Sequence, residues 1–402
     1  MPAGELGVVF LLGAGASIGA GMPGTQKITE AVLCGQGVQR AANGTYYIPP
    51  NDGSPWIVLD GPELHRLDDI APVIEYLNRL RELAREHYDK RSHRAANYED
   101  IYYVADQIRE VLFGEYGNPL VHAEAQAILA RMSRFESQRR KCSLQEAAGS
   151  FQGIVECAWE FIQAVVVSLL SRNPRKTDHL RLISEAWRDE RVAELHVATL
   201  NHDRVIDIFL REGGIPYADG FEETSESADG FRRFRPEVYE RAGRVRVLKL
   251  HGGVDWCVRS PDIDDPWANE IGILTEPHGL GIEALLLKSM AIQIGTLNKV
   301  TNYTVSRHLS ELQHRFLHSL DKSNLMVVSG YGFGDMGINA RIMNWIYGRR
   351  GRRLVVVDPH AGNVMNRFQS RWFEWKSAKA AFSVPQGIED TTWDDVLRVV
   401  EA

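Results

Sequence analysis

Five short apolar runs punctuate the chain, and each stops abruptly at small or polar residues. The first, Gly7 to Leu12 (GVVFLL), leads straight into Gly13, Ala14, Gly15, Ala16 and Ser17. The others are Leu195 to Leu200 (LHVATL), Val245 to Leu250 (VRVLKL), Leu325 to Ser329 (LMVVS) and Leu354 to Asp358 (LVVVD). Continuous apolar runs of this kind are the pattern of strands buried on both faces. Strands that each end in a turn predict a Rossmann-like, doubly wound parallel sheet in an α/β fold.

The spacing changes between the first run and the second. Helical periodicity extends over Ile70 to Glu86, Tyr98 to Leu112, Leu120 to Met132 and Ile154 to Leu170. That stretch is far too long for a crossover between neighbouring strands. The expected organisation is a sheet domain formed by residues 1–59 and 190–402, with residues 60–189 inserted as a large helical module. Gly35 to Pro62, with Pro49, Pro50 and Pro55, reads as loop. So does the glycine-rich stretch 213–240, long enough to border a site.

Composition changes this picture little. A chain of 402 residues, 44% hydrophobic and 25% charged, has enough apolar material for a large core. Its net charge of -7 gives no global attraction to nucleic acid or to an anionic membrane. Basic clusters occur at Arg139, Arg140 and Lys141 and at Arg349, Arg350, Arg352 and Arg353; the second, between a helix and a strand, reads as a solvated turn before it reads as a nucleic-acid contact, and direct nucleic-acid binding stays open. Cys34, Cys142, Cys157 and Cys257 include no C-x-x-C pair. Neither a structural zinc site nor a disulfide framework is therefore expected, no metal is assigned, and a reducing cytoplasm is the simplest location. Glu5 and the lack of a basic segment before Val8 favour a strand over a signal peptide. The apolar stretch Phe161 to Leu170 is about half of what a bilayer requires, so no membrane partner is expected.

The segment from Gly13 to Pro23 (GAGASIGAGMP) places a glycine-rich turn between a strand and a helix starting near Thr25. Backbone amides in such a turn can approach a pyrophosphate closely, which makes Gly13, Ala14, Gly15, Ser17, Gly21 and Pro23 candidate binding residues. It is not the G-x-G-x-x-G of dehydrogenases, because Ile18 occupies the third glycine position. It resembles instead the sirtuin pattern G-A-G-x-S-x-x-small-G-I-P, with Met22 for the isoleucine. Downstream, Thr199, Asn201 and Asp203 resemble the T-x-N-x-D signature of that family, and Leu250, His251 and Gly252 its L-H-G segment. Ser329 to Asp335 (SGYGFGD) is similar to the G-y-S-f-x-D segment of bacterial sirtuin-like defence proteins. This adds Thr199, Gly330, Gly332 and Asp335 to the candidate cofactor-binding set. The resemblance covers residues 7–30 and about 190–360 and leaves the helical module uncovered.

Two departures select a branch. Deacylating sirtuins follow the first motif with D-F-R, where this chain has Gly24, Thr25 and Gln26, and they carry a four-cysteine zinc module absent from this sequence. Protein deacylation is thereby a minor reading. The resemblance implies a prokaryotic sirtuin-like NAD glycohydrolase in which Asn201 and His251 carry the cleavage of the nicotinamide-ribose bond, with NAD as substrate and nicotinamide and ADP-ribose as products. It further implies an NAD-depleting effector of antiviral defence acting by abortive infection, and a partner such as a ring-shaped ATPase or an Argonaute. A homo-oligomer built partly through residues 60–189 is expected.

The chemistry suits these residues. The nicotinamide leaving group is already cationic, so holding the ribose, stabilising developing positive charge and positioning water are the main tasks. Asn201 can donate and accept. His251 has a ring suited to proton transfer near neutrality, and Asp203 can orient the ribose or hold negative charge near it. Each has a structural alternative: Asn201 as the cap of a helix from Asp203 to Leu210, Asp203 as a partner of that helix dipole, His251 as a buried structural ring. Asp358 either approaches the adenosine end of the ligand or begins a turn with Pro359. Asn97 to Asp100 (NYED) is similar to a stretch of the family's helical region or is a solvated helix start, and Thr296 and Lys299 are similar to a loop near the family's cofactor. A non-catalytic NAD- or ADP-ribose-binding subunit of a DNA-acting complex is the alternative of another class; no carboxylate cluster suits a two-metal nuclease.

Overall fold

The first strand, β1 (Leu6–Leu12), is buried at all seven positions because it lies at the middle of a parallel sheet. The computed structural model describes residues 6–35, 38–40, 46–47, 70–91, 95–114, 118–149, 151–223, 230–241, 243, 245–259, 270–274, 287–292, 294, 307–362 and 369–401. Thr296 and Lys299 lie outside them. In chain order the further strands are β2 (Gln39–Arg40), β3 (Tyr46–Tyr47), β4 (Val192–Thr199), β5 (Tyr217–Ala218), β6 (Phe231–Arg233), β7 (Val245–Lys249), β8 (Gly252–Arg259), β9 (Glu270–Leu274), β10 (Leu287–Ile292), β11 (Leu325–Ser329), β12 (Arg353–Val357) and β13 (Ala381–Val384).

Seven of them form the main sheet in the order β13-β12-β11-β1-β4-β7-β5. All its described pairings are parallel. From β1 the chain moves outward to β4 and then to β5 at the edge, steps back to β7 between them, and returns to the centre to wind through β11, β12 and β13 on the other side. The direction reverses between β1 and β11, which is the topological switch point at which doubly wound sheets bind ligands. The α/β class and the doubly wound sheet follow directly from the five apolar runs.

Alternation along β1 divides its side chains between two faces. Val9 and Leu11 join a core with Leu312, Phe316 and Leu320 of the helix Arg307–Lys322 and Ile338 and Ile342 of the helix Met336–Gly348. Phe10 turns the other way and meets Trp393 of the helix Trp393–Glu401, ring centroids 6.2 Å apart. With both faces covered, polar alternation has no place in the strand.

Two compact units divide the chain. The sheet unit takes Met1–Met22, Asn173–Gln293 and Lys299–Ala402; the helical unit takes Pro23–Arg172 and Ile294–Asn298. The division differs from the expected 60–189 at both ends. Residues 23–59 go with the helices, because the helix Thr25–Cys34 packs into them, and residues 173–189 go with the sheet.

Within the helical unit, Asn97 to Asp100 form a reciprocal cap. Asn97 Oδ1 accepts from the amides of Glu99 and Asp100 at 2.9 and 3.2 Å, and Asp100 accepts from the Asn97 amide at 2.9 Å. Asp100 is fully buried, so this is a structural helix start and not a solvated one. The helix Phe151–Leu170 outruns its apolar core stretch: its twenty residues are enough, in length and composition, to cross a membrane. Twelve of them are buried, and the helix packs against Ala71–Arg91 and Tyr98–Leu112.

In the sheet unit, residues 213–240 are less loop-like than their glycines suggest. They contain β5, β6 and the start of the helix Val238–Arg241. β6 belongs to an antiparallel sheet of order β10-β8-β9-β6, which sequence periodicity did not reveal.

Candidate functional site

The pairing register aligns the ends of four strands. Ser329, Leu12, Thr199 and Lys249 lie in one row across the sheet. The residues that leave this row, namely Gly330, Gly13, Leu200 with Asn201, and Leu250 with His251, therefore emerge from one edge beside the switch point. Motifs up to 317 residues apart in sequence (Gly13 to Gly330) are brought together by strand register alone.

The glycines serve loop-on-loop packing. Gly13 donates its N–H to Ser329 at 3.0 Å and Gly15 to Gly330 at 2.9 Å, while the amides of Ala16 and Ser17 bond to Gly13 and Ala14. A Cβ at Gly13 would stand 2.6 Å from the Gly330 carbonyl, and one at Gly15 would stand 2.7 Å from the Gly330 Cα. Gly330 adopts φ +63°, and a Cβ there would fall on the Ala16 nitrogen. Among the candidate positions, the N–H groups of Gly13, Gly15, Ser17 and Gly21 are committed within the chain. Ala14 and Gly15 are exposed on the loop, and a Cβ at Gly332 would meet open space. Gly21, at φ +83°, turns the chain toward Pro23, the first residue of the helical unit.

Asn201, Ser17 and Asp203 form a relay. Asn201 Nδ2 donates to the Gly13 carbonyl and to Ser17 Oγ, both at 2.9 Å, and the Asn201 amide bonds to Thr199 Oγ1 at 3.1 Å. A carbonyl can only accept, so the side chain's orientation is fixed, with its nitrogen on the loop and Oδ1 turned away. Ser17 in turn bonds to the Asp203 carboxylate. Asp203 Oδ1 accepts from Val205 N–H at 3.0 Å at the start of the helix Val205–Glu212. The first N–H of that helix is thus met by Asp203 and not by Asn201, while Arg204 holds the cap position. Burial raises the Asp203 carboxyl, with the Ser17 and Val205 bonds opposing. Sequence reasoning placed Asp203 at the reacting ribose; here it anchors the loop that carries Asn201.

His251 is 2% exposed and its Nε2 lies 3.2 Å from Asp335 Oδ2. Asp335 Oδ1 accepts from Ile338 N–H at 3.0 Å, capping the helix Met336–Gly348. The Asp335 amide donates to the Tyr331 hydroxyl at 3.1 Å, and that hydroxyl donates to Asn339 Oδ1 at 2.9 Å. Asn339 Nδ2 reaches back to the carbonyl of Phe333, a buried residue held at φ 51°. Left-handed backbone at a bulky residue costs of order 1–3 kcal/mol and persists only where its surroundings impose it. The loop before Asp335 is therefore a rigid mount. The ring of His202 stands 6.2 Å from that of His251.

Two contributors escaped sequence reasoning. His179 Nε2 bonds to the Ala16 carbonyl at 2.8 Å, buttressing the glycine loop from a stretch assigned to the helical module. Nothing in its neighbourhood of sequence signals this. Lys249, 4% exposed, sits 2.6 Å from Asp207 Oδ2, 2.9 Å from the Asp203 carbonyl and 3.9 Å from Asp255. A lysine closing an apolar strand is a readable signal, since a buried charge demands partners. Burial pulls the Lys249 amine down, but Asp207 and Asp255 outweigh it and hold it above its ordinary value.

Burial pushes Asp207 up to about 6, against the pull of Lys249 and with the help of Asp255. An unfolded aspartate titrates near about 3.9. Between these values the folded chain holds more protons than the unfolded one, so this group lowers stability as pH rises from about 4 to about 6. Asp207→Asn is expected to flatten that segment of a plot of Tm against pH. An undiminished slope in calorimetry of the variant would place the titration elsewhere.

Asp358 leaves the carboxyl end of β12 and accepts from the His360 amide at 2.7 Å, so the turn with Pro359 is the arrangement found. A cleft lined by His196, Tyr239, Arg246, Arg315 and Ser319 lies beside the middle of β4, away from the strand ends. Burial, then Arg246, pushes its His196 down to about 4, which leaves that ring neutral. Among the described residues no three His, Cys, Asp or Glu side chains converge on a metal site. No protein-family model matches the chain, and no curated protein matches it.

Proposed function

We propose that the chain is an NAD glycohydrolase, which adds water across the nicotinamide-ribose bond and releases nicotinamide, ADP-ribose and a proton. The observation that carries this reading is the meeting of the glycine loop, Asn201 and the His251–Asp335 pair at the switch point of a doubly wound sheet. In this scheme His251 accepts the proton from water or a ribose hydroxyl. Asn201 contributes Oδ1, its donor side being held by the loop. Consumption of a central cofactor suits an antiviral effector in the cytoplasm, restrained by homo-oligomerisation or by an ATPase-like or Argonaute-like partner.

The test is time-resolved quantification of NAD, nicotinamide and ADP-ribose with wild type, Asn201→Ala and His251→Ala, purified and in infected cells. The expected outcome is NAD loss with wild type and a fall of roughly 10²–10⁴-fold in His251→Ala. Steady NAD throughout would favour a second reading, a subunit that binds NAD or ADP-ribose without turnover. That reading draws on the internal commitment of the Asn201 amide and of the Asp203 carboxylate.

A further inference from the structure

We infer that the two helices beside β12 and β13, with the turn that leads into β12, carry a surface for single-stranded nucleic acid. Its cations are the exposed Arg349, Arg350, Arg371 and Lys376, and its rings are the exposed Tyr347 and Phe373. The inference stands apart from the NAD-cleaving reading. Arg349 and Arg350 precede β12 at the amino edge of the sheet, opposite to the strand ends from which Asn201 and His251 emerge.

Strand register sets the pieces side by side. Leu354 pairs with Ala381, and the Leu354 amide donates to the Ala380 carbonyl at 2.8 Å. The turn after the helix Met336–Gly348 therefore lies beside the turn after the helix Gln369–Ser377. The helices also touch directly. The Tyr347 hydroxyl donates to Glu374 Oε2 at 3.2 Å, the Tyr347 and Trp375 ring centroids are 6.1 Å apart, and Arg371 Nη1 lies 2.8 Å from Met343 Sδ.

Positive charge is in excess here. The carboxylates at hand are Glu374, engaged by Tyr347, and Asp321, 3.5 Å from Arg352. Arg352 is buried, with Nη1 on the Trp345 carbonyl at 2.7 Å, so Arg349 and Arg350 are the exposed members of their cluster. The side chains of Arg349, Arg350 and Lys376 have no ion-pair or hydrogen-bond partner among the described residues. Cations after a helix also suit its dipole without any ligand. A dipole does not call for aromatic rings in water, yet Phe373 is 75% exposed and Tyr347 52%. Rings set among arginines and lysines fit the two things a single strand offers, phosphates and unpaired base faces. A duplex keeps its base faces stacked on one another, and an acidic protein has none. The net charge of -7 does not oppose this, because screening makes the field at a surface a local matter.

The experiment follows fluorescence anisotropy of labelled oligothymidylate and oligouridylate of about 20 nucleotides with the full-length protein, between about 50 and 200 mM salt. Both strands are expected to bind within about threefold of each other, since phosphates and base faces are common to DNA and RNA. Log affinity is expected to fall against log salt with a slope of roughly −3, at about −0.7 for each cation engaged. Arg349→Gln combined with Arg350→Gln should reduce that slope by about 1.4. Phe373→Ala should weaken binding roughly 5- to 100-fold and leave the slope unchanged. Arg140→Gln combined with Lys141→Gln, in the other basic cluster, should bind as wild type does. All these side chains are exposed, so each variant is expected to melt with wild type. Absence of binding at the lowest salt, equal binding of a polyglutamate peptide, or equal or tighter binding of a duplex of the same length would overturn the inference. So would affinities that are unchanged in both the arginine and the phenylalanine variants.

Discussion

Alanine at position 330 is expected to destabilise the protein by about 2–6 kcal/mol, enough to unfold a marginally stable domain. Part of that figure is the left-handed backbone: Gly330 sits at φ +63°, where a side chain costs of order 1–3 kcal/mol. The rest is overpacking, because the new methyl group would fall on the Ala16 nitrogen, and forced displacement in a packed interior costs about 1–3 kcal/mol. The obstacle is backbone on the central strand's own loop, which has no rotamer to change. Gly332→Ala, two residues on, meets open space and is expected to change stability by less than about 0.5 kcal/mol. Urea unfolding of the two variants against wild type decides the matter. Equal midpoints would mean that the contact between the two glycine loops is looser than it stands here.

Lys249→Met is expected to cost up to about 3–5 kcal/mol, because it leaves the partly buried Asp207 and Asp255 without their cation. Asp207 and Asp255 converge on the amine, and the Asp203 carbonyl loses its donor. The attraction of the pair is not the source of the cost; the uncompensated desolvation of the survivors is. Lys249→Met combined with Asp207→Leu should therefore be more stable than Lys249→Met alone, with Asp255 retaining Arg204 at 3.9 Å. A double-mutant cycle in urea measures the coupling. Additive losses would show that Lys249 and Asp207 act independently.

Much of the sheet was legible because central parallel strands announce themselves. GVVFLL and LVVV are apolar because both faces of the sheet are covered, and their abrupt endings mark the edge at which doubly wound sheets in general bind ligands. The candidate positions were legible for the same reason: Gly13, Asn201, His251 and Gly330 each follow such an ending. What the positions do was not legible. Asn201 turns its donors inward, Asp203 meets the first N–H of a helix, and Asp335 faces His251; these are choices among partners from other elements, which one-dimensional spacing does not encode. Residues 213–240 misled for a related reason. Their glycines at 214, 220 and 230 all adopt positive φ and serve turns within a sheet unit, where composition alone suggested a loop.

The central place of β1 has a consequence for how the protein comes into being. Its two neighbours, β4 and β11, begin only at residues 192 and 325, so β1 pairs with segments far downstream of it. Pairings of such sequence separation are slow to close. Most of the helical unit, residues 23–172, is encoded between β1 and β4. A chain interrupted before residue 325 would contain Asn201 and His251 but lack both the loop that seats Gly13 and the carboxylate of Asp335. Assembly of this cluster at the strand ends thus waits for residues 325–335.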